Sequence, residues 1–249
     1  MSGLVLRLAG PLQSWGEHSA FADRDTMRHP TRSGLIGMFA GAYGLRRDEP
    51  LDRFDGLEII VRIDRPGILM TDFHTVGGGR TREQTVPTSE GGRRSVETAT
   101  IVTRRHYLAD AVFAVGVAGS SEAIGELAER LANPRWQPYL GRRACPPDQP
   151  MLLKQVKDPL HELTEAVPLA RRPPKDGRPH RVDFVLEGAR EDASAVAELV
   201  DVPVNFSHLD RRYCSRAVSI ARREIAEHLW LGRGNAYLKA LFAYVEGRS

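Results

Sequence analysis

Leu4, Leu6 and Leu8 alternate with Val5, Arg7 and Ala9, a period of two that predicts a half-buried strand stopping at Gly10-Pro11. The next apolar run, Leu35 to Tyr43, has helical character and follows Pro30-Thr31-Arg32-Ser33-Gly34. Pro30 stops anything before it, and Thr31 is a good N-cap. From Glu58 to Arg65, Ile59, Val61 and Ile63 alternate with Ile60, Arg62 and Asp64, which predicts a second strand. Pro66-Gly67 is a turn signal, so Ile68 to Val76 reads as the partner strand of a hairpin. Glu97 to Leu108 is β-prone. Ala111 to Ala118 is continuously apolar, as in a central strand buried on both faces. Ile124, Leu127, Ala128 and Leu131 make one face of a helix from Ser121 to Asn133. Beyond Met151 the pattern weakens. Val182–Glu187, Pro203–Phe206 and Cys214–Ile220 are short strand candidates, Arg171 to Arg181 reads as a surface loop, and Arg222 to Val245 reads as helix broken by Gly232 and Gly234.

Gly77 to Glu97 stands apart. It holds Gly77-Gly78-Gly79 and Gly91-Gly92, charges of both signs and almost no large apolar residue. Such a stretch is a disordered insertion or a functional arm. The reading adopted is a β-hairpin arm tipped near Pro87–Gly91. The order strand, helix, two strands, arm, two strands, helix predicts an α+β fold. Residues 1–149 then form a ferredoxin-like, RNA-recognition-motif-like layer with the hairpin inserted at about 77–97. Residues 150–249 form a smaller β-rich region with a helical tail.

At 249 residues and 41% hydrophobic, the chain can build a real core, and no apolar run approaches the ~18 residues of a membrane span. Met1-Ser2-Gly3 leads straight into a strand, so no signal peptide is expected. Cys145 and Cys214 lie far apart, which suits a reducing cytoplasm and neither a disulfide nor a zinc framework. The net charge is only +3, but four of the 35 lysines and arginines are lysine, leaving 31 arginines. Codon usage in a GC-rich genome accounts for part of that ratio. It does not account for the pairs Arg80/Arg82, Arg93-Arg94, Arg104-Arg105, Arg142-Arg143, Arg171-Arg172, Arg211-Arg212 and Arg222-Arg223. Local basic clusters on a chain of modest charge suit a protein that grips nucleic acid on one face.

Arg32 and Ser33 fall in the first turn of the first helix, beside free backbone N–H groups and the positive end of the dipole. A bound phosphate would relieve the repulsion of Arg32; the plainer reading is an arginine pointing into water. Trp15 and Phe21 are candidates for base stacking, or equally for core plugs. Asp23-Arg24-Asp25 reads as a paired surface turn, and the eight histidines show no metal-binding spacing. Gly77-Gly78-Gly79-Arg80-Thr81 lacks the lysine of a phosphate-binding Walker loop. No metal or cofactor is expected.

Five stretches in order carry a family resemblance. They are Leu6-Arg7-Leu8-Ala9-Gly10-Pro11-Leu12-Gln13-Ser14-Trp15-Gly16, Pro30 to Gly37, Phe73-His74-Thr75-Val76, Tyr107-Leu108-Ala109-Asp110-Ala111, and Pro138 to Pro146. The chain resembles the CasD family, the CRISPR Cascade subunits of subtype I-E, over roughly Leu4 to Ile220. The resemblance implies a ferredoxin-like core whose arm is a thumb. It implies a non-catalytic cap on the Cascade backbone that grips the 5′ handle of the CRISPR RNA in antiviral defence. The implied neighbours are the backbone subunit CasC, the large subunit CasA and, indirectly, target DNA. The matching RNA-binding positions are Arg32, Ser33, Gly34, Arg105, Arg142 and Arg143, to which Arg104 and the arm residues Arg80, Arg82, Arg93 and Arg94 are added. One alternative is a metal-independent endoribonuclease like the subtype I-C siblings, with His106-Tyr107 beside Arg105. Against it, no lysine precedes Lys154, and an arginine stays protonated and cannot act as a base. A purely structural adaptor without RNA grip is the other.

Overall fold

The computed structural model describes residues 2–16, 19–20, 22–88, 90–174, 181–207 and 210–247. In chain order the strands are β1 (Ser2–Ala9), β2 (Leu12–Gln13), β3 (Ser19–Ala20), β4 (Asp23–Arg24), β5 (Glu58–Arg65), β6 (Ile68–Val76), β7 (Ile101–Ala109), β8 (Val112–Gly119), β9 (Leu152–Val156), β10 (Arg181–Glu187), β11 (Ala195–Pro203) and β12 (Tyr213–Glu224). The helices are α1 (Arg32–Tyr43), α2 (Ser121–Ala132), α3 (Pro159–Glu165) and α4 (Asn235–Val245). None is long and apolar enough to cross a membrane among the described residues.

A seven-stranded sheet in the order β11-β12-β10-β5-β8-β1-β9 carries the fold, with every neighbouring pair antiparallel. Strands from the first 149 residues and from the remainder share this one sheet. The period-two pattern of β1 serves two cores. Leu4, Leu6 and Leu8 pack with α1 and α2 on one face, and Val5 and Ala9 pack with Leu163 of α3 and Tyr237 and Leu241 of α4 on the other. β8 lies inside the sheet between β5 and β1 and is buried throughout, as its unbroken apolar run requires. Thr31 caps α1 by accepting the Gly34 N–H, and Gly44 closes it in the left-handed conformation at φ +80°.

The hairpin differs from the sequence expectation. β6 pairs with β7 along its whole length, from Ile68↔Ala109 to Val76↔Ile101, and not with β5. Both edges of β5 are already taken by β8 and β10, so the bend at Pro66-Gly67 redirects the chain out of the sheet. The ribbon β6–β7 therefore continues the central pair β5–β8 outward. Gly77 to Glu97 is the tip of that ribbon, and the long hairpin arms are β6 and β7. Within it two short 3-10 turns, Arg82–Gln84 and Val96–Thr98, flank a minimal antiparallel turn closed by the bridge Pro87↔Arg93 and by Arg94 N–H to Val86 O and Thr88 N–H to Gly92 O, so the tip near Pro87–Gly91 falls where expected. Thr85 and Ala99 are buried inside this knot. β7 also pairs with β2 and, in parallel, with β4, which makes a second, smaller sheet.

The C-terminal part differs as well. β9, α3 and most of β11 were not expected, and the helix expected from Arg222 begins only at Asn235. β12 runs on to Glu224, and the left-handed Gly232 and Gly234 hold the chain out of a helix until α4. Residues 175–180 of the expected surface loop lie outside the described residues.

Candidate nucleic-acid interface

The loop after β1 fastens the site together. Gln13 is fully buried; its amide donates to Leu8 O at 3.1 Å and Ala111 O at 2.9 Å, and its carbonyl accepts the Trp15 indole N–H at 3.0 Å. Ser14 donates its hydroxyl to His106 O and its N–H to Leu140 O. Trp15 is 1% exposed and packs on Gly34, where an added Cβ would lie 2.8 Å from the indole. Trp15 is thus a core plug and not a base-stacking platform. Phe21 lies outside the described residues.

The start of α1 is occupied from within. The Arg32 N–H donates to Asp201 Oδ2 at 2.6 Å, so a carboxylate of β11 stands where a phosphate was expected. The Arg32 side chain, 8% exposed, turns inward to Glu187 at 2.6 Å and to the carbonyls of Leu57 and Phe54. Arg216 completes the group with a bidentate pair to Asp201 at 2.6 and 2.9 Å. Ser33 and Gly34 both bond Thr31. Arg32 therefore holds α1 to the β10–β12 sheet edge, while Ser33 and Gly34, both half-buried, complete the local cap on Thr31.

This buried group carries a pH signature. Burial pushes the Glu187 carboxyl above its ordinary 4.5, although the Arg32 and Arg216 charges pull it down. With the folded value above the unfolded one, the stabilising contribution is complete below the unfolded value and is lost as pH rises through the folded value. Glu187→Gln is therefore expected to gain stability relative to the natural chain between about pH 4 and about pH 7, read from urea midpoints. The opposite trend would show that the two arginines outweigh burial.

The other candidate arginines divide between the two faces of the β6–β7 ribbon, Arg104 with Phe73, Asp23 and His106 on one, and Arg105 with Arg24, Tyr107 and Arg142 on the other. β4 and β7 run parallel with Asp23 opposite Arg104 and Arg24 opposite Arg105, while Phe73 and Asp72 of β6 flank the same two arginines from the other side. Arg142 enters from the loop after α2. Its guanidinium lies 4.7 Å from the Tyr107 ring centroid and donates to Arg24 O at 3.0 Å, leaving Nη1 buried without a partner. Arg143 beside it is exposed. Arg105 donates to the Thr103 hydroxyl at 3.2 Å. Arg104 is exposed and lies 5.7 Å over the Phe73 ring, itself 66% exposed. Arg80, Arg82, Arg93 and Arg94 are exposed on the ribbon tip, away from this cluster along the hairpin.

Two participants were missed in the sequence, Arg24 and Phe73. Phe73 was quoted only inside a motif; its meaning needed the register that sets it opposite Arg104. His106 is engaged on both ring nitrogens, by Thr71 at 3.0 Å and Asp23 at 3.4 Å, and Tyr107 is 6% exposed. Among the described residues no three His, Cys, Asp or Glu side chains gather closely enough to hold a metal ion.

What this arrangement offers is, on one face of the ribbon, a solvent-facing aromatic ring with a guanidinium stacked on it and, on the other, arginines held by a strand and a glycine loop. Such groups can stack on bases and bind phosphates of a single strand. Residues 3–219 match the family model described as CRISPR-associated protein (Cas_Cas5). The chain is 37% identical over 184 residues to the CRISPR system Cascade subunit CasD of Escherichia coli (strain K12), covering 68% of this chain and 78% of that one. It superposes with a TM-score of 0.88 and 51% identity on a chain of a CRISPR RNA-guided surveillance complex, covering 98% of this chain and 99% of the other. A second solved Cas protein matches at a TM-score of 0.63 and 29% identity, over 93% of this chain and 98% of that one. The match covers both sheets and the ribbon between them, and the chain belongs to the CasD/Cas5 family of CRISPR-associated proteins.

Proposed function

We propose that this chain is a non-catalytic subunit of a Cascade surveillance complex in CRISPR defence, and that it holds the 5′ handle of the CRISPR RNA. In this reading β1, α1, β5, β8 and α2 supply the ferredoxin-like core, and the β6–β7 ribbon is the thumb. The ribbon tip meets the adjacent backbone subunit CasC, CasA adjoins the same end of the particle, and target DNA is engaged only through the guide. The observation that carries the proposal is the open Phe73–Arg104 stack on one face of the ribbon, with Arg24, Arg105 and Arg142 gathered on the other. Protein interfaces also favour arginine and aromatic residues, so affinity for handle RNA is what separates this reading from that of an adaptor.

The test uses Phe73→Ala and Arg104→Gln, both at exposed positions. Each is expected to weaken binding of a single-stranded 5′-handle oligonucleotide by about 1–3 kcal/mol for the stack. Arg104→Gln should also lower the salt slope by about 0.7. Unchanged affinity and slope in both would return the cluster to a protein-contact role. Cleavage of a labelled repeat hairpin in EDTA, abolished by His106→Ala, would overturn the non-catalytic part.

A further inference from the structure

The central strands leave the main sheet at Pro66-Gly67 and Asp110-Ala111, and beside these turns lies an open cavity of about 530 Å³. Arg65, Arg171, Arg172 and Arg233 line it, with Asp110 and Asp64 as its acids. The arginines are placed by structure that reaches well beyond the hairpin. Leu169 N–H donates to Leu229 O, Leu231 N–H to Leu169 O, and Gly232 N–H to Arg171 O. These bonds lace two loops side by side and present Arg171, Arg172 and Arg233 together. Gly232, at φ +73°, lets Arg172 lie against it, since a Cβ there would come within 2.8 Å of the Arg172 Cγ. Arg171 is braced at 5.9 Å over the Trp230 ring.

The charges do not balance. Asp64 is spent on buried Arg62 at 2.7 Å. Asp110 alone serves both Arg65 at 2.7 Å and Arg233 at 2.8 Å. Among the described residues Arg171 and Arg172 have no carboxylate partner, and Arg65 Nε is buried with no hydrogen-bond acceptor. Arg7 adds its charge to the same neighbourhood and also has an unpartnered buried nitrogen, Nη1. Burial works most strongly against the Arg65 cation, with Arg233 and Arg7 adding to it, while Asp110 and, to a smaller extent, Tyr237 support it. Asp110 holds that position from a left-handed backbone, φ +56°, which costs a non-glycine residue about 1 kcal/mol or more. A concave site with unfilled guanidinium donors and a surplus of positive charge fits a tetrahedral oxyanion with several acceptor oxygens.

We propose that this cavity binds a phosphate group, contributed by a nucleic-acid strand or by free inorganic phosphate. It lies at the far end of β7 from Arg104, some five residues on at about 3.3 Å each, and so is separate from the Phe73–Arg104 interface. The proposal does not rest on handle binding.

The experiment titrates the full chain with inorganic phosphate at low ionic strength by calorimetry. Saturable binding is expected, weakened at least tenfold by Arg172→Gln with Arg233→Gln and unchanged by Arg222→Gln, whose side chain is exposed and paired with Asp183. Asp110→Asn removes the internal competitor while keeping a side chain that tolerates a left-handed backbone. It should bind phosphate several-fold more tightly, a gain that a purely structural role would not produce. No saturable binding, or equal affinity in the double variant, overturns the proposal. A single-stranded oligoribonucleotide then identifies the source: displacement of phosphate assigns the site to a strand phosphodiester, and its persistence assigns it to the free anion.

Discussion

Replacing Arg62 by alanine is expected to lower the stability of the chain by about 3–5 kcal/mol, a large share of the roughly 5–15 kcal/mol that holds a domain folded. Arg62 is wholly buried in β5, and all five of its N–H donors are used. Nε and Nη2 hold the two oxygens of Asp64 at 2.7 and 3.1 Å. Nη1 and Nη2 satisfy the carbonyls of Leu163, Val167 and Pro168. One guanidinium thus ties the end of α3 and the segment after it to the face of the sheet. Truncation strands a carboxylate that is 1% exposed, together with those three carbonyls, where water cannot reach them. Arg62→Met with Asp64→Leu should recover part of the loss by removing the lone charge, but not all, because the carbonyls stay unpaired. Arg222→Ala, which breaks the exposed pair with Asp183, should move the urea midpoint by no more than about 0.5 kcal/mol equivalent. Equal losses for Arg62 and Arg222 would show that burial does not govern these arginines.

The same arginine illustrates how far the pattern of residues could be read. The alternation that marked β1 and β5 as strands, and the unbroken apolar run of β8, reflect local rules, and the structure bears those elements out. α1 was legible for the same reason through its Thr31 cap and apolar run, and α2 through one apolar face. Partners distant in sequence were not legible. Nothing near Arg32 reveals that its counter-ion is Glu187 or that Asp201, 169 residues on, caps its helix. The helix-start argument was sound in that the dipole does hold an anion; the chain supplies that anion itself. β11 was hidden because Asp201 is fully buried within it, and a buried carboxylate breaks the apolar alternation. β6 was read as a strand but given the wrong partner, since pairing depends on which strand edges remain open. The arginines Arg104, Arg105 and Arg142 were legible as residues, yet the face of the ribbon each occupies and the neighbours it meets there depend on the β6–β7 and parallel β4–β7 registers.

Gly141→Ala is expected to cost about 3 kcal/mol or more and to release Arg142 from its seat over Tyr107. Two effects combine at this glycine. Its φ of +82° is one that side chains with a Cβ rarely adopt, and an added Cβ would lie 1.7 Å from the Ser14 carbonyl oxygen, which no rotamer change relieves. Other glycines separate the two effects. Gly125, inside α2, has no strained φ and nothing within 4 Å of an added Cβ, so Gly125→Ala should stabilise by about 0.5–1 kcal/mol. Gly188 has φ +79° and open space, so Gly188→Ala should cost about 1–2 kcal/mol, the backbone strain alone. Whatever Gly141→Ala loses beyond Gly188→Ala measures the close approach of the Leu140–Arg142 loop to Ser14. The loop is held there by Ser14 N–H on Leu140 O and by Arg142 Nη2 on Arg24 O, and Ser14 in turn holds His106 of β7. If the loop must back away, Arg142 loses its seat over Tyr107, and with it the proposed handle contact is lost. Handle affinity should then fall in Gly141→Ala and stay unchanged in Gly188→Ala when both are measured well below their melting temperatures. A Gly141→Ala chain that melts and binds like Gly188→Ala would mean that the loop does not pack against Ser14 as closely as this, and that Arg142 is positioned by some other contact.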